Sequence, residues 1–446
     1  MRSPARLCLA ALALCLAGSA LAPGALADGI PTVKPRVETP ALFDDAAGGN
    51  ANGDDPAIWV HPTRSGRSVV MATAKEGGLY AYDLDGRQLQ HVPAPAAPGE
   101  DDEPGRFNNV DLVYGLRLSS GVKADLAVVS DRGRDQIRFY AVDRDAVDKD
   151  GAGRGRAPLT DVTDPAVPFV FNTGQEQVNE ARTAYGLATW QDGTGTYVLV
   201  SQRHRTRVAL LKLNATAHGK VGYRLVRTLD LPGSFRLPDR TTWTPCLEPG
   251  ELPQVEGMVV DGERDVLYAA QEDVGIWRMR ADLTGTPKLV DRVREYGRPG
   301  VYDPETEECA LGADPGHGGR HLSADAEGLT IYHGDDGDGY LLASGQGDNT
   351  FTVYDRKGND YIGQFRIGAG RGLDGVEHSD GSMVVNVPLG RFGKGLLVAH
   401  DGENTPGAVG EDGEARENTN FKFVGWDDVA GKLGLDVDTD GWNPRD

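Results

Sequence analysis

Residues 255–280 read VEGMVVDGERDVLYAAQEDVGIWRMR, and residues 326–355 read AEGLTIYHGDDGDGYLLASGQGDNTFTVYD. Each stretch contains three short runs rich in Val, Leu, Ile, Tyr and Ala, separated by turns that contain Gly or Asp. Runs of this length and composition, bounded by such turns, are typical of antiparallel β-strands. The two stretches therefore predict the same three-strand unit, with an acidic residue near the start of the first strand.

This unit recurs about six times along the chain. The approximate limits of the units are 51–95, 106–146, 165–230, 250–290, 320–366 and 372–430. Repeats with periods of this order indicate a solenoid, a propeller or an array, and units of antiparallel strands favour an all-β, six-bladed β-propeller. The alternative is two stacked sandwiches, which would scatter equivalent positions. The best candidate for a helix is WDDVAGKLG at 426–434.

Charged or polar residues stand at matching places in the six units. Those near the start of the first strand are Asp55, Asp111, Tyr185, Glu256, Glu327 and Asp374, and those at the end of the second strand are Lys75, Arg132, Arg203, Glu272, Gln346 and Asp401. Because equivalent positions of a radially repeated sheet face one axis, we expect these twelve side chains to converge. Basic residues come from units one to three and acids mainly from units four to six, which predicts a site for an anion beside cations.

The composition limits the classes of partner. A formal charge of -21 argues against nucleic acid and anionic membranes as partners. Residues 1–27 combine basic residues, an apolar run and the small-residue sequence Ala25-Leu26-Ala27, which is the pattern of a secretory signal peptide. No later run approaches the roughly 18 apolar residues of a membrane span. We expect a secreted, extracellular monomer with a signal peptide (1–27), an extension (28–50) that could close the ring, and a propeller domain (51–446).

Removal of the signal peptide would leave two cysteines, Cys246 and Cys309. Two cysteines in an exported protein more often form a disulfide than a metal site. They lie in two insertions, 233–255 and 296–320. A disulfide would therefore clamp two long loops on either side of unit four.

The acidic residues of the predicted site are hard oxygen ligands, which suit calcium. They are Asp54, Asp55, Glu256, Glu272, Asp325, Glu327, Asp374 and Asp380. Two carboxylates about 4 Å apart repel by roughly 4 kcal/mol at an effective dielectric near 20, so a cluster needs cations or protons. Opposite them, Lys75, Arg132 and Arg203 suit phosphate oxygens. The combination predicts metal-assisted hydrolysis of a phosphate ester, in which a metal-activated water attacks the phosphorus.

The motifs DDPAIWVHP, NNVDLVYG, HLSADAEGLTIY, YLLASGQGDNTFTVYDR and NFKFVGW closely resemble those of the β-propeller phytases, or alkaline calcium-dependent phytases. The resemblance implies a six-bladed propeller that hydrolyses phosphate monoesters of myo-inositol hexakisphosphate, taken as its calcium salt, in the manner of a 3-phytase. By position it implies that Lys75, Arg132, Tyr185 and Arg203 contact the scissile phosphate. The resemblance implies that several calcium ions are bound by two groups of residues. The first group is Asp55, Glu256, Glu272, Asp325 and Glu327, with Asp54 adjoining. The second group is Asp374, Glu403 and Asn404, with Asp380 nearby.

Three positions depart from the family pattern. Arg203 stands where the family more often has Lys, Thr183 replaces an acid and Ala74 replaces Asn. Two other functions remain open, a non-catalytic calcium-stabilised propeller that binds anionic ligands and a propeller lactonase or esterase with a single calcium. The second would leave the three basic residues without a role. The stretch 436–441 mimics the start of an EF-hand loop, but its twelfth position falls beyond the last residue, so we interpret it as a surface turn.

Overall fold

Six sheets of four or five strands occupy most of the compact unit Pro31–Asp446. The computed structural model describes residues 29–148, 157–410, 413, 415–440 and 442–445, so the predicted signal peptide lies outside the described residues. The first strands of successive sheets contact one another in turn, and the first strand of the sixth sheet contacts that of the first. The sheets are therefore the blades of a six-bladed β-propeller, and the predicted fold class is confirmed.

Each blade contains four strands in chain order from the axis outwards, except that the N-terminal segment supplies the fourth strand of blade 6. The strands of blade 1 are Pro56–Trp59, Val69–Thr73, Leu79–Tyr82 and Gln88–Val92. The strands of blade 2 are Phe107–Arg117, Lys123–Asp131, Gln136–Val142 and Leu159–Asp161. The strands of blade 3 are Ala184–Asp192, Gly195–Gln202, Arg207–Ala215 and Val221–Asp230. The strands of blade 4 are Val255–Asp261, Val266–Gln271, Gly275–Arg280 and Lys288–Arg292. The strands of blade 5 are Ala326–His333, Gly339–Gly345, Thr350–Asp355 and Tyr361–Ile367. The strands of blade 6 are Ser382–Val385, Leu396–Asp401, Asn418–Gly425 and Val37–Glu38.

The N-terminal segment joins two neighbouring blades. Val37–Glu38 pairs antiparallel with Asn418–Gly425 in blade 6, and Leu42–Phe43 pairs with the start of the same strand. Thr32–Val33 runs parallel to Tyr361–Ile367 at the outer edge of blade 5. The first and last parts of the propeller are thus held together by backbone hydrogen bonds.

The helix predicted at 426–434 is present as Trp426–Leu433. Arg36 forms ion pairs with Asp427 and Asp428 in its first turn, at 2.7 and 3.0 Å. The Trp426 ring stacks on Tyr332 of blade 5 with ring centroids 4.3 Å apart. The helix therefore covers the outer part of blades 5 and 6.

Short elements complete the described structure. The helices are Arg144–Asp148 and Gln175–Val178, the 3-10 turns are Ala46–Gly48, Ser65–Arg67, Ala217–Gly219, Asp335–Gly337 and Gln346–Asp348, and the small hairpins are Phe235–Arg236 with Thr242–Trp243, Gly300–Asp303 with Glu308–Leu311, and Ala408–Val409 with Ala415–Arg416. Cys246 and Cys309 form the predicted disulfide. Across the described ranges, every helix is too short or too polar to cross a bilayer.

The two ends of the propeller carry different connections. We call the end at which the first strands begin the entry face; it also carries the turns between second and third strands and the links between blades. The opposite face carries the turns between first and second strands and between third and fourth strands. Apolar side chains such as Trp59, Phe107 and Tyr140 fill the space between the blades, so the polar residues of the entry face stand on a rigid base.

Candidate functional site

A β-bulge at the start of the first strand sets which side chains point to the axis. In blades 2 to 5 the pairing with the second strand shifts at this point. Two residues lie inside each bulge, and the first of them is Asn108, Tyr185, Glu256 and Glu327 in blades 2 to 5, respectively. By the same register Asp54 and Asp380 are the equivalents in blades 1 and 6. These six residues form the inner ring of the entry face.

Three glutamates of blades 4 and 5 form the centre of the site. Glu256, Glu272 and Glu327 each offer a carboxylate oxygen, and these oxygens lie within 4.8 Å of one another. The three side chains are 6, 8 and 4% exposed, respectively. Burial, followed by the charge of Glu256, raises the pKa values of Glu272 and Glu327 well above the usual range. The cluster therefore attracts positive charge strongly.

Further acids surround this cluster. Burial and then the charge of Glu256 raise the pKa of Asp325 to about 6. Burial and then the charge of Asp325 raise the pKa of Asp273 to about 8. Asp54, which is buried, also has a raised pKa, because of desolvation and the charge of Glu256. The negative charge thus extends over blades 1, 4 and 5.

Three basic residues line the other side of the ring, each just after the second strand of blades 1 to 3. Lys75 Nζ lies 4.0 Å from Asp54 and 3.7 Å from Asp380. Arg132 donates from Nη1 to Asn108 Oδ1 at 3.0 Å. Burial and then the charge of Arg203 lower the pKa of Arg132 to about 10. Within the described part of the chain, neither guanidinium group has a carboxylate at ion-pair distance, so both retain donors for an anion.

Glu256 connects the acidic side to the basic side. Tyr185 Oη donates to Glu256 Oε2, and Asn108 Nδ2 donates to Glu256 Oε1, both at 2.5 Å. The Tyr185 ring also lies beneath the guanidinium of Arg132, 5.3 Å from its carbon. A hydrogen-bonded chain from Arg132 through Asn108 to Glu256 therefore fixes the basic and acidic groups relative to each other.

The chain is similar in sequence to known proteins. The family model described as phytase matches residues 5–226 and 304–446. The chain belongs to the phytase family. The curated 3-phytase of Bacillus subtilis (strain 168) is 33% identical over 398 residues, which are 88% of this chain and 84% of that protein. A matched solved structure, the Cps50 (Swd1) β-propeller domain of Myceliophteria thermophila, shares 10% identity over 83% of both chains at a TM-score of 0.37, too low to support an argument.

The acidic side of this phytase-family site suits a hard divalent cation. Among the residues that the structure describes, the buried oxygens of Glu272 (Oε1), Glu327 (Oε2) and Asp54 (Oδ1) have no hydrogen-bond partner. Buried, unpaired carboxylate oxygens are costly unless a cation or proton neutralises them. Carboxylates are ligands that calcium accepts in flexible geometry. The donor set therefore fits calcium.

The residues expected at a second metal site lie apart from the glutamate cluster. Asp374 and Asn404 both accept hydrogen bonds from the buried ammonium group of Lys422. Lys422 Nζ also lies 2.7 Å from Glu38 and 3.2 Å from Asp401. The Glu403 side chain is 64% exposed at the edge of this group. The structure thus brings Asp374 and Asn404 together around a lysine, with Glu403 outside.

Three residues expected to converge on the axis do not join the inner ring. Asp111 lies further along the channel, where its carboxylate accepts hydrogen bonds from Thr189. Asp374 and Asp401 belong to the group around Lys422. The expectation that Asp111, Asp374 and Asp401 converge on the axis was wrong, because the bulges and the connection into blade 6 shift the register of the strands. The alternation of apolar residues in the sequence does not reveal these shifts.

The position of Asp55 also differs from its expected place in the register. Asp54 takes the ring position, whereas the Asp55 carboxylate accepts a hydrogen bond from Val110 N at 3.0 Å. Sequence reasoning missed Asn108, Asp273 and Gln254 altogether. Asp273 directly follows Glu272, and Gln254 donates from Nε2 to Glu272 Oε2 at 3.0 Å. The closeness of Gln254 and Asp273 in sequence to Glu256 and Glu272 was the available signal; Asn108 lies 148 positions from Glu256 and had no such signal.

Proposed function

We propose that this chain is a calcium-dependent phytase that releases phosphate from myo-inositol hexakisphosphate, taken as its calcium salt. Membership of the phytase family and likeness to a 3-phytase support the reaction class. The observation that carries the proposal is the juxtaposition of a buried cluster of three glutamates with guanidinium groups that have no carboxylate partner among the described residues. A site of this kind suits an anion that arrives with cations.

The basic residues would hold the phosphoryl group that is cleaved. Arg132 and Arg203 offer planar forks matched to phosphate oxygens, and Lys75 offers a compact charge. Tyr185 Oη, which donates to Glu256, adds a hydroxyl beside Arg132. Fixed donors in a buried site stabilise the charge of a phosphoryl group more strongly than water-exposed donors do. We assign these four residues to substrate binding and catalysis.

The acidic residues would hold the calcium ions. We assign Glu256, Glu272, Asp325 and Glu327 to this role, with Asp54 and Asp55 adjoining. When bound, calcium supplies Lewis acidity, polarising phosphoryl oxygens and lowering the pKa of a water. Glu256 is also a catalytic residue in this proposal, since its hydrogen bonds to Tyr185 and Asn108 hold the acidic group against the phosphate-binding group.

A second region would stabilise the fold through calcium. Asp374, Glu403 and Asn404, with Asp380 nearby, are the residues we assign to it. Cation binding there would have to compete with Lys422, which occupies the centre of the group. This region joins blade 6 to the N-terminal segment through Glu38.

We further propose that the protein is exported and acts as a monomer outside the cell. The pattern of residues 1–27 and the Cys246–Cys309 disulfide support export. The net charge of -21 disfavours nucleic acid and anionic membranes as partners.

The test is phosphate release from phytate by the purified mature protein, with calcium, with chelator, and after calcium is restored. We expect release that stops with chelator and returns with calcium. Activity that survives chelation and dialysis would contradict calcium dependence. Calcium-dependent thermal stability without turnover would instead identify a non-catalytic propeller that binds anions.

A further inference from the structure

One position of each second strand adjoins the backbone at the ring residue of its blade, and we call it the backing position. By the registers of the strand pairs, the backing positions of blades 1 to 6 are Thr73, Ser130, Ser201, Ala270, Ser344 and His400, respectively. Four of these residues carry a hydroxyl group, and that of blade 4 carries a methyl group. Blade 6 therefore differs from the other five blades by an imidazole at this position.

Hydroxyl groups at the backing position hold the backbone that carries the ring side chains. Thr73 Oγ1 accepts a hydrogen bond from Asp55 N at 3.1 Å. Ser130 Oγ accepts one from Asn109 N at 3.0 Å. Each of these backbone N–H groups belongs to the residue that directly follows a ring residue. The backing position is thus where a second strand fixes the inner ring.

In blade 6 the imidazole of His400 makes the corresponding contact with the ring residue itself. Its Nδ1 accepts a hydrogen bond from Asp380 N at 3.2 Å and lies 3.6 Å from the carboxylate of the same residue. A ring nitrogen that accepts a hydrogen bond carries no proton, so the proton of the neutral ring is on Nε2. The residue is 2% exposed, and among the described residues its Nε2 has no hydrogen-bond partner. The fold therefore keeps a buried, unpaired group together with the bond to Asp380, and such a group calls for an explanation.

Asp380 connects His400 to the phosphate-binding side of the ring. Its Oδ2 lies 3.7 Å from Lys75 Nζ. Its Oδ1 accepts a hydrogen bond from Gln346 Nε2 at 2.6 Å, and its carbonyl oxygen accepts one from Gly328 N at 2.7 Å. The contacts from blade 5 leave the backbone N–H of Asp380 to be held by His400. A shift of this backbone would move the carboxylate that faces the ammonium group of Lys75.

We propose that His400 is a positioning residue of the candidate site. It fixes the backbone of Asp380, and the carboxylate of Asp380 orients Lys75 towards the phosphoryl group that is cleaved. The inference rests on the proposed function and adds to it a residue outside the groups assigned to substrate and calcium. His400 also packs against Phe421, with ring centroids 5.6 Å apart. The experiment must therefore separate the hydrogen bond from the packing.

Two substitutions of nearly equal shape make this separation. His400→Asn and His400→Leu both shorten the side chain and leave a similar cavity. The amide oxygen of asparagine stands close to the place of Nδ1 and can accept the bond from Asp380 N, whereas leucine has no acceptor. Melting curves verify that both variants fold. Any difference in activity between them reports the acceptor.

We expect His400→Leu to lower kcat/KM for phytate about ten-fold, the size expected for one ordinary hydrogen bond, and His400→Asn to lower it less than about three-fold. The matched control is His333→Leu. His333 stacks on Trp442 at the end of a first strand on the opposite face, with ring centroids 4.3 Å apart. The control should leave kcat/KM unchanged. Equal losses in the two His400 variants, or a loss in the control as large as in His400→Leu, would overturn the proposal.

The path through Lys75 is tested by combining substitutions. If His400 acts through Lys75, its effect should disappear once Lys75 is replaced, since residues that act in series are not additive. We expect His400→Leu to lower kcat/KM less than about two-fold in a Lys75→Met background. A loss of about ten-fold in both backgrounds would reject this path.

The protonation of the His400 ring separates this proposal from the proposed function. Long-range proton–nitrogen NMR correlations of histidine-labelled parent protein distinguish the two neutral forms of the ring, and the His400 signals are assigned by their absence in His400→Leu. We expect a proton on Nε2 and none on Nδ1. A proton on Nδ1 would overturn the role of His400 whether or not the enzyme is active. Parent protein that releases no phosphate from phytate in calcium would refute the enzymatic assignment alone.

Discussion

Replacing Glu327 by Gln should stabilise the protein when calcium is absent and should leave its stability nearly unchanged when calcium is bound. The Glu327 carboxylate lies within 4.8 Å of those of Glu256 and Glu272. At that separation each pair of charges repels by about 3.5 kcal/mol at an effective dielectric near 20. Glutamine has nearly the same shape but no charge, so it removes this repulsion when no cation is present.

The size of the effect is limited because a proton can also relieve the repulsion. Protonating one glutamate at pH 7.5 costs about 4 kcal/mol relative to its ordinary pKa. We therefore expect Glu327→Gln to raise the free energy of unfolding by up to about 4 kcal/mol in chelator. With an unfolding entropy of about 0.9 kcal/mol per kelvin for a unit of roughly 400 residues, Tm rises by about 4 °C.

Calcium should remove this difference in stability. A ligand at about 1,000 times its Kd stabilises the native state by about 4 kcal/mol. The variant loses one carboxylate oxygen and the negative charge, and it should lose most of that gain, together with phosphate release. Melting curves of the parent, Glu327→Gln and the exposed control Glu100→Gln, in chelator and in calcium, measure both differences. A variant that melts below the parent in chelator would refute the reasoning.

Three further predictions concern single contacts. Arg132→Ala should lower kcat/KM for phytate about 100-fold, because a charged hydrogen bond is worth roughly 3 kcal/mol, with Tm nearly unchanged; steady-state kinetics measures this, and a change below five-fold would remove Arg132 from the site. Cys246→Ser with Cys309→Ser should lower the free energy of unfolding by about 4 kcal/mol in urea titrations, as expected for the 63-residue separation; an unchanged midpoint would contradict it. Arg356→Met removes the guanidinium that bonds the buried Asp261 at 2.6 and 2.9 Å and leaves this carboxylate the more distant Arg264, at 3.9 Å; we expect a loss of about 3–5 kcal/mol in urea, recovered in part by adding Asp261→Asn.

The sequence predicted the inner three strands of each blade and also the fourth strands of blades 3 and 5, Val221–Asp230 and Tyr361–Ile367, but not those of blades 1, 2 and 4. Inner strands are buried on both faces and appear as apolar runs, such as Val69–Thr73, in which every residue is buried. The fourth strands are more polar: Gln88–Val92 has no fully buried residue, and neither has Lys288–Arg292. Their backbone pairing is set by the neighbouring strand, and no apolar pattern marks it.

The basic side of the site could be predicted well because Lys75, Arg132 and Arg203 follow directly after long apolar second strands. The strand end is visible in the sequence, so the register is fixed by counting back from it. Contacts across the ring could not be predicted in this way. The bond from Asn108 to Glu256 joins residues 148 positions apart, and only the closed propeller brings them together.

On the acidic side, the strand register that was predicted for blade 6 placed the wrong residue on the axis. The sequence nevertheless contains a signal for the correct register. Tyr185, Glu256, Glu327 and Asp380 are each followed by glycine. A Cβ on Gly186 or Gly257 would collide with the backbone of the ring residue in the next blade, so glycine is required wherever neighbouring bulges approach this closely. Blades 3 to 6 can therefore be aligned on a polar residue followed by glycine instead of on the apolar run. Asp374 and Asp380 both precede a glycine, but only Asp380-Gly381 leads directly into the strand Ser382–Val385. This alignment selects Asp380 as the ring residue of blade 6 and excludes Asp374. The close packing of backbones at the axis thus both creates the site and marks it in the sequence.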